Sequence, residues 1–129
     1  MIQIGASLNV VDNSGAKTAV CIRVFPNYKH KYAYLGSVVL VSIKSLRSKR
    51  RDSLKVKKGE LHRALLLHTR FSNFMFSGDS FFSINSPSII LFGKKKKFLA
   101  TRVFCSLFKG FRFTKFLKIL ALCSGIFSS

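Results

Sequence analysis

The stretch Ser7–Phe25, "SLNVVDNSGAKTAVCIRVF", decides how the rest of the chain reads. Its first part, "SLNVV" (Ser7–Val11), is a short strand-like run, and the polar tetrad "DNSG" (Asp12, Asn13, Ser14, Gly15) closes it. Asp suits the opening of a tight turn because its carboxylate accepts from backbone N–H groups ahead. Gly suits the fourth position, where positive φ is often required. Beyond the turn, "TAVCIRVF" (Thr18–Phe25) alternates, which sets Val20, Ile22 and Val24 on one face and Cys21 and Arg23 on the other. The unit is strand, turn, strand, and it is uncharged until Asp12 and free of basic residues until Lys17.

Similar runs follow at even spacing. "SVVLVSIKSL" (Ser37–Leu46) opposes Val39, Val41 and Ile43 to Ser42 and Lys44, and "HRALLLHTR" (His62–Arg70) is a brief, bounded apolar run. "SPSIILF" (Ser86–Phe92) and "ATRVF" (Ala100–Phe104) complete five or six strands, the pattern of a small closed barrel. From Phe113 to Leu122 the period changes. Phe116, Ile119 and Leu120 set against Lys115 and Lys118 predict a short amphipathic helix that caps the barrel or lies on its side. No repeat or Pro/Gly linker divides the 129 residues. They read as one mainly β domain, with the barrel over about 1–105 and a helical C-terminal part over about 106–129.

The charge is lopsided: 23 Lys and Arg against 4 Asp and Glu leave a formal +19. That much like charge opposes compaction, so the fold is expected to be at home beside a polyanion, nucleic acid first and an anionic membrane second. Between Lys44 and Arg70 lie Lys44, Arg47, Lys49, Arg50, Arg51, Lys55, Lys57, Lys58, Arg63 and Arg70, most of them in a segment that joins two strands. "GKKKKF" (Gly93–Phe98) is a second cluster, and Lys109, Arg112, Lys115 and Lys118 are a third. Such side chains neutralise phosphates, giving salt-dependent affinity with little sequence information. The 14 Phe mostly fall in apolar strand or helix patterns, which assigns them to the core rather than to base stacking.

Little else in the chain carries chemistry. The four carboxylates form no pair at working distance, and no nucleophile–base constellation or phosphate-cradling Gly-rich motif is present, so no enzyme activity, cofactor or small-molecule substrate is expected. Three widely spaced Cys (Cys21, Cys105, Cys123) without a Cys-x-x-Cys pair argue against a disulfide framework and a zinc knuckle, and they read as small buried or half-buried side chains. His30, His62 and His68 show no ligand spacing with them, so no metal is expected. The apolar stretches are interrupted or fall short of the roughly 20 residues of a membrane span. Neither a secretory signal nor an Arg-rich presequence is recognisable.

Taken together, "MIQ", "LNVVDNSGAK", "CIRV", "KYAYLG" (Lys31–Gly36), "VKKGELHRALLLHTR" (Val56–Arg70), "ATRVF" and "KFLKILALC" (Lys115–Cys123) resemble, in order, the large-subunit ribosomal protein fourteen family. The resemblance implies a five-stranded β-barrel with a projecting β-ribbon and a small helical C-terminal part. It also implies binding to large-subunit rRNA on the face that meets the small subunit, with an intersubunit bridge to small-subunit rRNA beside ribosomal proteins nineteen and three. The family's basic positions correspond to Lys17, Arg23, Lys44, Lys55, Lys57, Lys58, Arg70, Arg102, Lys115 and Lys118. Arg47, Lys49, Arg50 and Arg51 join them as rRNA-binding candidates on charge alone.

The departures point to an origin. "FSNFMFSGDSFFSINS" (Phe71–Ser86) stands where the family has a basic hairpin, and its Phe-rich surface is a candidate for meeting a protein instead. "GKKKKF" replaces a largely neutral loop. These changes and the Phe- and Lys-rich composition look like a mitochondrially encoded member, with a plastid as the alternative. Charge alone fits two other readings: a free barrel that binds RNA or DNA outside any particle, and a basic membrane-surface protein.

Overall fold

A computed structural model describes residues 2–25, 31–47, 55–70, 73–74, 80–81 and 86–127. Among the described residues eleven strands run in chain order: β1 (Ile2–Gln3), β2 (Ser7–Val10), β3 (Ala16–Val24), β4 (Tyr32–Ala33), β5 (Val38–Leu46), β6 (Leu61–His68), β7 (Asn73–Phe74), β8 (Ser80–Phe81), β9 (Ser88–Leu91), β10 (Val103–Phe108) and β11 (Cys123–Phe127). Five of them close a barrel in the order β2-β3-β5-β6-β9, and the parallel pairing of β9 with β2 seals it. The expected barrel is therefore present, and its strands are the first five runs read from the sequence. "ATRVF" lies outside it, in β10, which pairs in parallel with β11. A small antiparallel ribbon, β7 with β8, lies within the Phe-rich stretch.

The barrel interior is packed with Leu8, Val10, Ala19, Cys21, Val39, Val41, Ile43, Ala64, Leu66, Ile89 and Leu91. On β5 the burial follows the expected alternation, with Val39, Val41 and Ile43 fully enclosed. On β3 it does not. Cys21 is buried and Ile22 is 41% exposed, the reverse of the simple alternation. The buried positions of β3 are Ala16, Ala19, Cys21 and Val24, at intervals of three, two and three. The first interval of three holds two register shifts against β5, on either side of Thr18, and the second holds one, between Cys21 and Arg23. An extra residue in one strand moves the following side chains to the other face.

A second core explains why β6 and β9 are apolar on both faces. Leu65, Leu67, Ile90 and Phe92 alternate with the interior residues and point outward, where Val103, Leu107, Phe111 and Ile119 cover them. Strands buried on both faces read as continuous apolar runs, as "ALLLH" and "SIIL" do. The helix expected over Phe113–Leu122 is shorter than its pattern suggests. Lys109–Phe113 is 3-10 and only α1 (Ile119–Leu122) is α-helical. Ile119, Leu120 and Ala121 donate to Phe116, Leu117 and Lys118, three residues back. The chain then leaves the helix at Cys123 to pair with β10, so a non-local strand pairing outcompetes further helical turns.

Candidate nucleic-acid interface

The tetrad Asp12–Gly15 is the hub of the basic surface. Asp12 is fully buried. Its Oδ1 accepts from the Ser14 backbone N–H at 3.0 Å and from the Ser14 hydroxyl, which is the turn expected from the sequence. Its Oδ2 accepts from the Leu91 N–H at 3.0 Å, which ties the turn to β9. Gly15 holds φ 101°, a conformation that costs a side-chain-bearing residue about 1–2 kcal/mol. Asn13 reaches across to the segment before β10. Its Oδ1 accepts from Thr101 N–H at 3.0 Å and Arg102 N–H at 3.4 Å, and its Nδ2 donates to Thr101 Oγ1 at 2.8 Å.

The backbone of the same tetrad holds both ends of the long basic connection between β5 and β6. Arg47 N–H donates to the Gly15 carbonyl at 2.9 Å, and Lys55 N–H donates to the Ser14 carbonyl at 3.0 Å. The side chains add to this: Arg47 Nη2 donates to the Val10 carbonyl at 3.1 Å, and Lys55 Nζ donates to the Leu99 carbonyl at 3.2 Å. The Arg47 guanidinium also lies over the ring of Phe104, 5.5 Å from its centroid, and that ring is 54% exposed. Arg47, Lys55 and Arg102 are therefore brought together around four uncharged or buried residues, with Lys17 two residues beyond Gly15.

A family model described as ribosomal protein L14p/L23e matches residues 1–127 of the chain. The chain belongs to that ribosomal family. L14p/L23e proteins are structural constituents of the large ribosomal subunit, whose partners are its rRNA and other ribosomal proteins, and not an enzyme family.

In this L14p/L23e chain, all eleven candidate basic residues within the described regions are exposed: Lys17, Arg23, Lys44, Arg47, Lys55, Lys57, Lys58, Arg70, Arg102, Lys115 and Lys118. Lys49, Arg50 and Arg51 lie outside the described residues. Lys44, Lys57 and Lys58 gather where Gly59 N–H donates to the Ile43 carbonyl at 2.9 Å and Ile43 N–H donates to the Glu60 carbonyl at 3.0 Å. The remaining candidates belong elsewhere on the fold. Arg23 is near the far end of β3, and Arg70 follows the end of β6 opposite Leu61. Lys115 and Lys118 flank Phe116, which packs 5.5 Å from Phe92 and 6.4 Å from Phe98.

Two features could not be read from local sequence. The contacts of Asp12 and Asn13 span 79 and 88 residues, so their turn signal was visible but their partners were not. His68 is buried and joins three strands. Its Nε2–H donates to the Ser106 carbonyl at 2.7 Å, which leaves Nδ1 to accept from the Ser88 hydroxyl. Burial lowers its pKa, and the contact with Ser106 opposes that shift. The thiols are quiescent by comparison. Burial pushes Cys105 up to about 12, with Cys123 adding to the shift, and burial also raises Cys21. Such thiols are poor nucleophiles at neutral pH. Among the described residues no helix is long and apolar enough to cross a membrane.

Proposed function

We propose that this protein binds large-subunit rRNA through the basic surface organised by the Asp12–Gly15 tetrad, and that it contributes to an intersubunit bridge with small-subunit rRNA. The observation that carries the reading is the anchoring of Arg47 and Lys55 to the Gly15 and Ser14 carbonyls, which fixes both ends of a cationic segment on one turn. Fixed cations lose less conformational freedom on meeting a phosphate, and a rigid frame sets their spacing. Family membership supplies the particle in which such a surface works. By the same resemblance, ribosomal proteins nineteen and three are its neighbours. The Phe- and Lys-rich composition supports an organellar ribosome, mitochondrial before plastid.

The test is sedimentation of lysed organelles and, separately, of the cytosolic fraction through gradients that keep ribosomes intact. The protein is expected to travel with the large subunit and to stay there through moderate salt. Recovery only near the top of the gradient would favour a free RNA- or DNA-binding barrel and overturn the ribosomal reading. Recovery with cytosolic ribosomes alone would overturn the organellar assignment.

A further inference from the structure

At the end of β3 away from the tetrad, the barrel carries a second cationic feature built on an aromatic ring. The guanidinium of Arg23 lies 5.4 Å from the centroid of the Phe25 ring, and that of Arg63 lies 4.9 Å from it. The two arginines come from different strands. Arg23 of β3 and Arg63 of β6 are both register partners of Leu40 on β5 between them, so all three side chains share the outer face. The bulge between Cys21 and Arg23 turns Arg23 outward at this point. Phe25 is half-buried, and its N–H donates to the Val38 carbonyl at 3.0 Å, which fixes the ring's base.

Among the described residues neither guanidinium has a carboxylate partner. The ion pair found there joins Glu60 to His62 at 3.0 Å, and Asp12 is enclosed in the tetrad. An Arg that lies on an aromatic ring keeps its edge N–H groups free, and the ring holds the plane in position. Two such planes anchored on one ring form a preset fork whose natural acceptor is a phosphate, while an outer guanidinium face is a platform for a base.

We propose that Arg23, Phe25 and Arg63 form a binding site for one single-stranded RNA segment, separate from the tetrad surface, in which the two guanidinia grip a phosphate and Phe25 is the positioning residue. The proposal rests on the RNA-binding reading above and names a further site and its mode. Shape and charge together distinguish it from the basic loops, because the stacked planarity of Arg contributes here and Lys does not substitute for it.

The experiment measures binding of the full chain to a labelled oligouridylate of about twelve nucleotides by fluorescence anisotropy across a salt series. R23K/R63K keeps every charge, sits on the exposed surface and is expected to lose about fivefold in affinity with its salt slope unchanged. F25L removes no charge and is expected to fall by a similar factor, with circular dichroism confirming that it folds. R23Q/R63Q is expected to lose more, and its salt slope is expected to drop by about 0.7, the value for the one phosphate the pair neutralises. Parent-like binding by both R23K/R63K and F25L would overturn the site while leaving the tetrad surface standing. A decaglutamate probe that binds more tightly than the oligouridylate, through the same three residues, would overturn it in favour of an acidic protein partner. No oligouridylate binding by the parent chain would overturn this site, while co-sedimentation with the large subunit decides the broader RNA reading separately.

Discussion

Asp12 sits in a chain of net charge +19, yet its carboxylate is directed at backbone amides. A buried donor deprived of its acceptor costs about 1–3 kcal/mol. Asp12→Ala strands the N–H groups of Ser14 and Leu91 together, so a loss of about 2–4 kcal/mol is expected in urea unfolding. Asp12→Asn keeps one acceptor and is expected to lose less. A parent-like midpoint for the Ala variant would mean that the turn does not hold β9. His68 predicts a pH effect whose sign follows from its lowered pKa. The unfolded chain takes up the His68 proton near pH 6.5, and the folded chain resists it because the ring is buried and Nδ1 is already accepting from Ser88. The unfolded state then binds more protons, so the contribution is fully present above about 6.5 and is lost as pH falls from there toward the folded pKa. The slope is at most about 1.4 kcal/mol per pH unit. His68→Gln is expected to flatten this part of the stability profile, and an unchanged slope in that variant would assign the effect to another group.

At the scale of elements, β3 is the most informative. Its register shifts put Cys21 inside the barrel and Ile22 outside, so the two neighbours are expected to respond oppositely to polarity. Ile22→Thr should change stability by no more than about 0.5 kcal/mol, as surface substitutions do. Cys21→Asp places a charge in the barrel interior and is expected to prevent folding altogether. Expression of soluble protein, followed by thermal unfolding, reads both, and a tolerated Cys21→Asp would restore the simple alternation. The five barrel strands were legible because β2 alternates strictly and β5 encloses Val39, Val41 and Ile43 at period two, and because the doubly buried β6 and β9 are short, bounded apolar runs. The face of β3 was not legible, since a bulge leaves no mark in composition and reverses every side chain that follows it. In the C-terminal part the short helix was legible and the strand after it was not. "KILALC" fits a short helix and a strand about equally, and the pairing of β11 with β10 that decides between them is set some twenty residues away. The tetrad was readable as a turn and its charge-poor composition as barrel. Its role as the anchor for residues 47, 55 and 101–102 depends on contacts that only the closed barrel creates.

For the whole molecule, the arrangement of charge matters more than its amount. Lys55 is anchored through both its backbone and its ammonium group, and Lys57 and Lys58 follow it on the chain past buried Val56. The run Lys94–Lys97 contributes one more cation, but its frame is different. It is a loop of a few residues pinched by the Phe92–Phe98 stack at 5.0 Å and by the Gly93 N–H to Lys97 carbonyl bond at 2.7 Å. Lys95 and Lys96 are held there at φ 62° and 59°, in the left-handed region that disfavours side-chain-bearing residues. If net charge alone drove association, removing four cations from this loop would weaken incorporation more than removing three from the anchored segment. If preset spacing on the tetrad drives it, the order reverses. Neutralising Lys55, Lys57 and Lys58 to Gln is therefore expected to release more tagged protein from sedimented large subunits, over a series of salt washes, than neutralising Lys94–Lys97. The lysine-triple variant should also show the shallower salt dependence, by roughly one unit of slope for each phosphate it no longer neutralises. Equal release from the two variants would make the tetrad a folding device only, and greater release from the Lys94–Lys97 variant would move the principal RNA contact to the loop between β9 and β10.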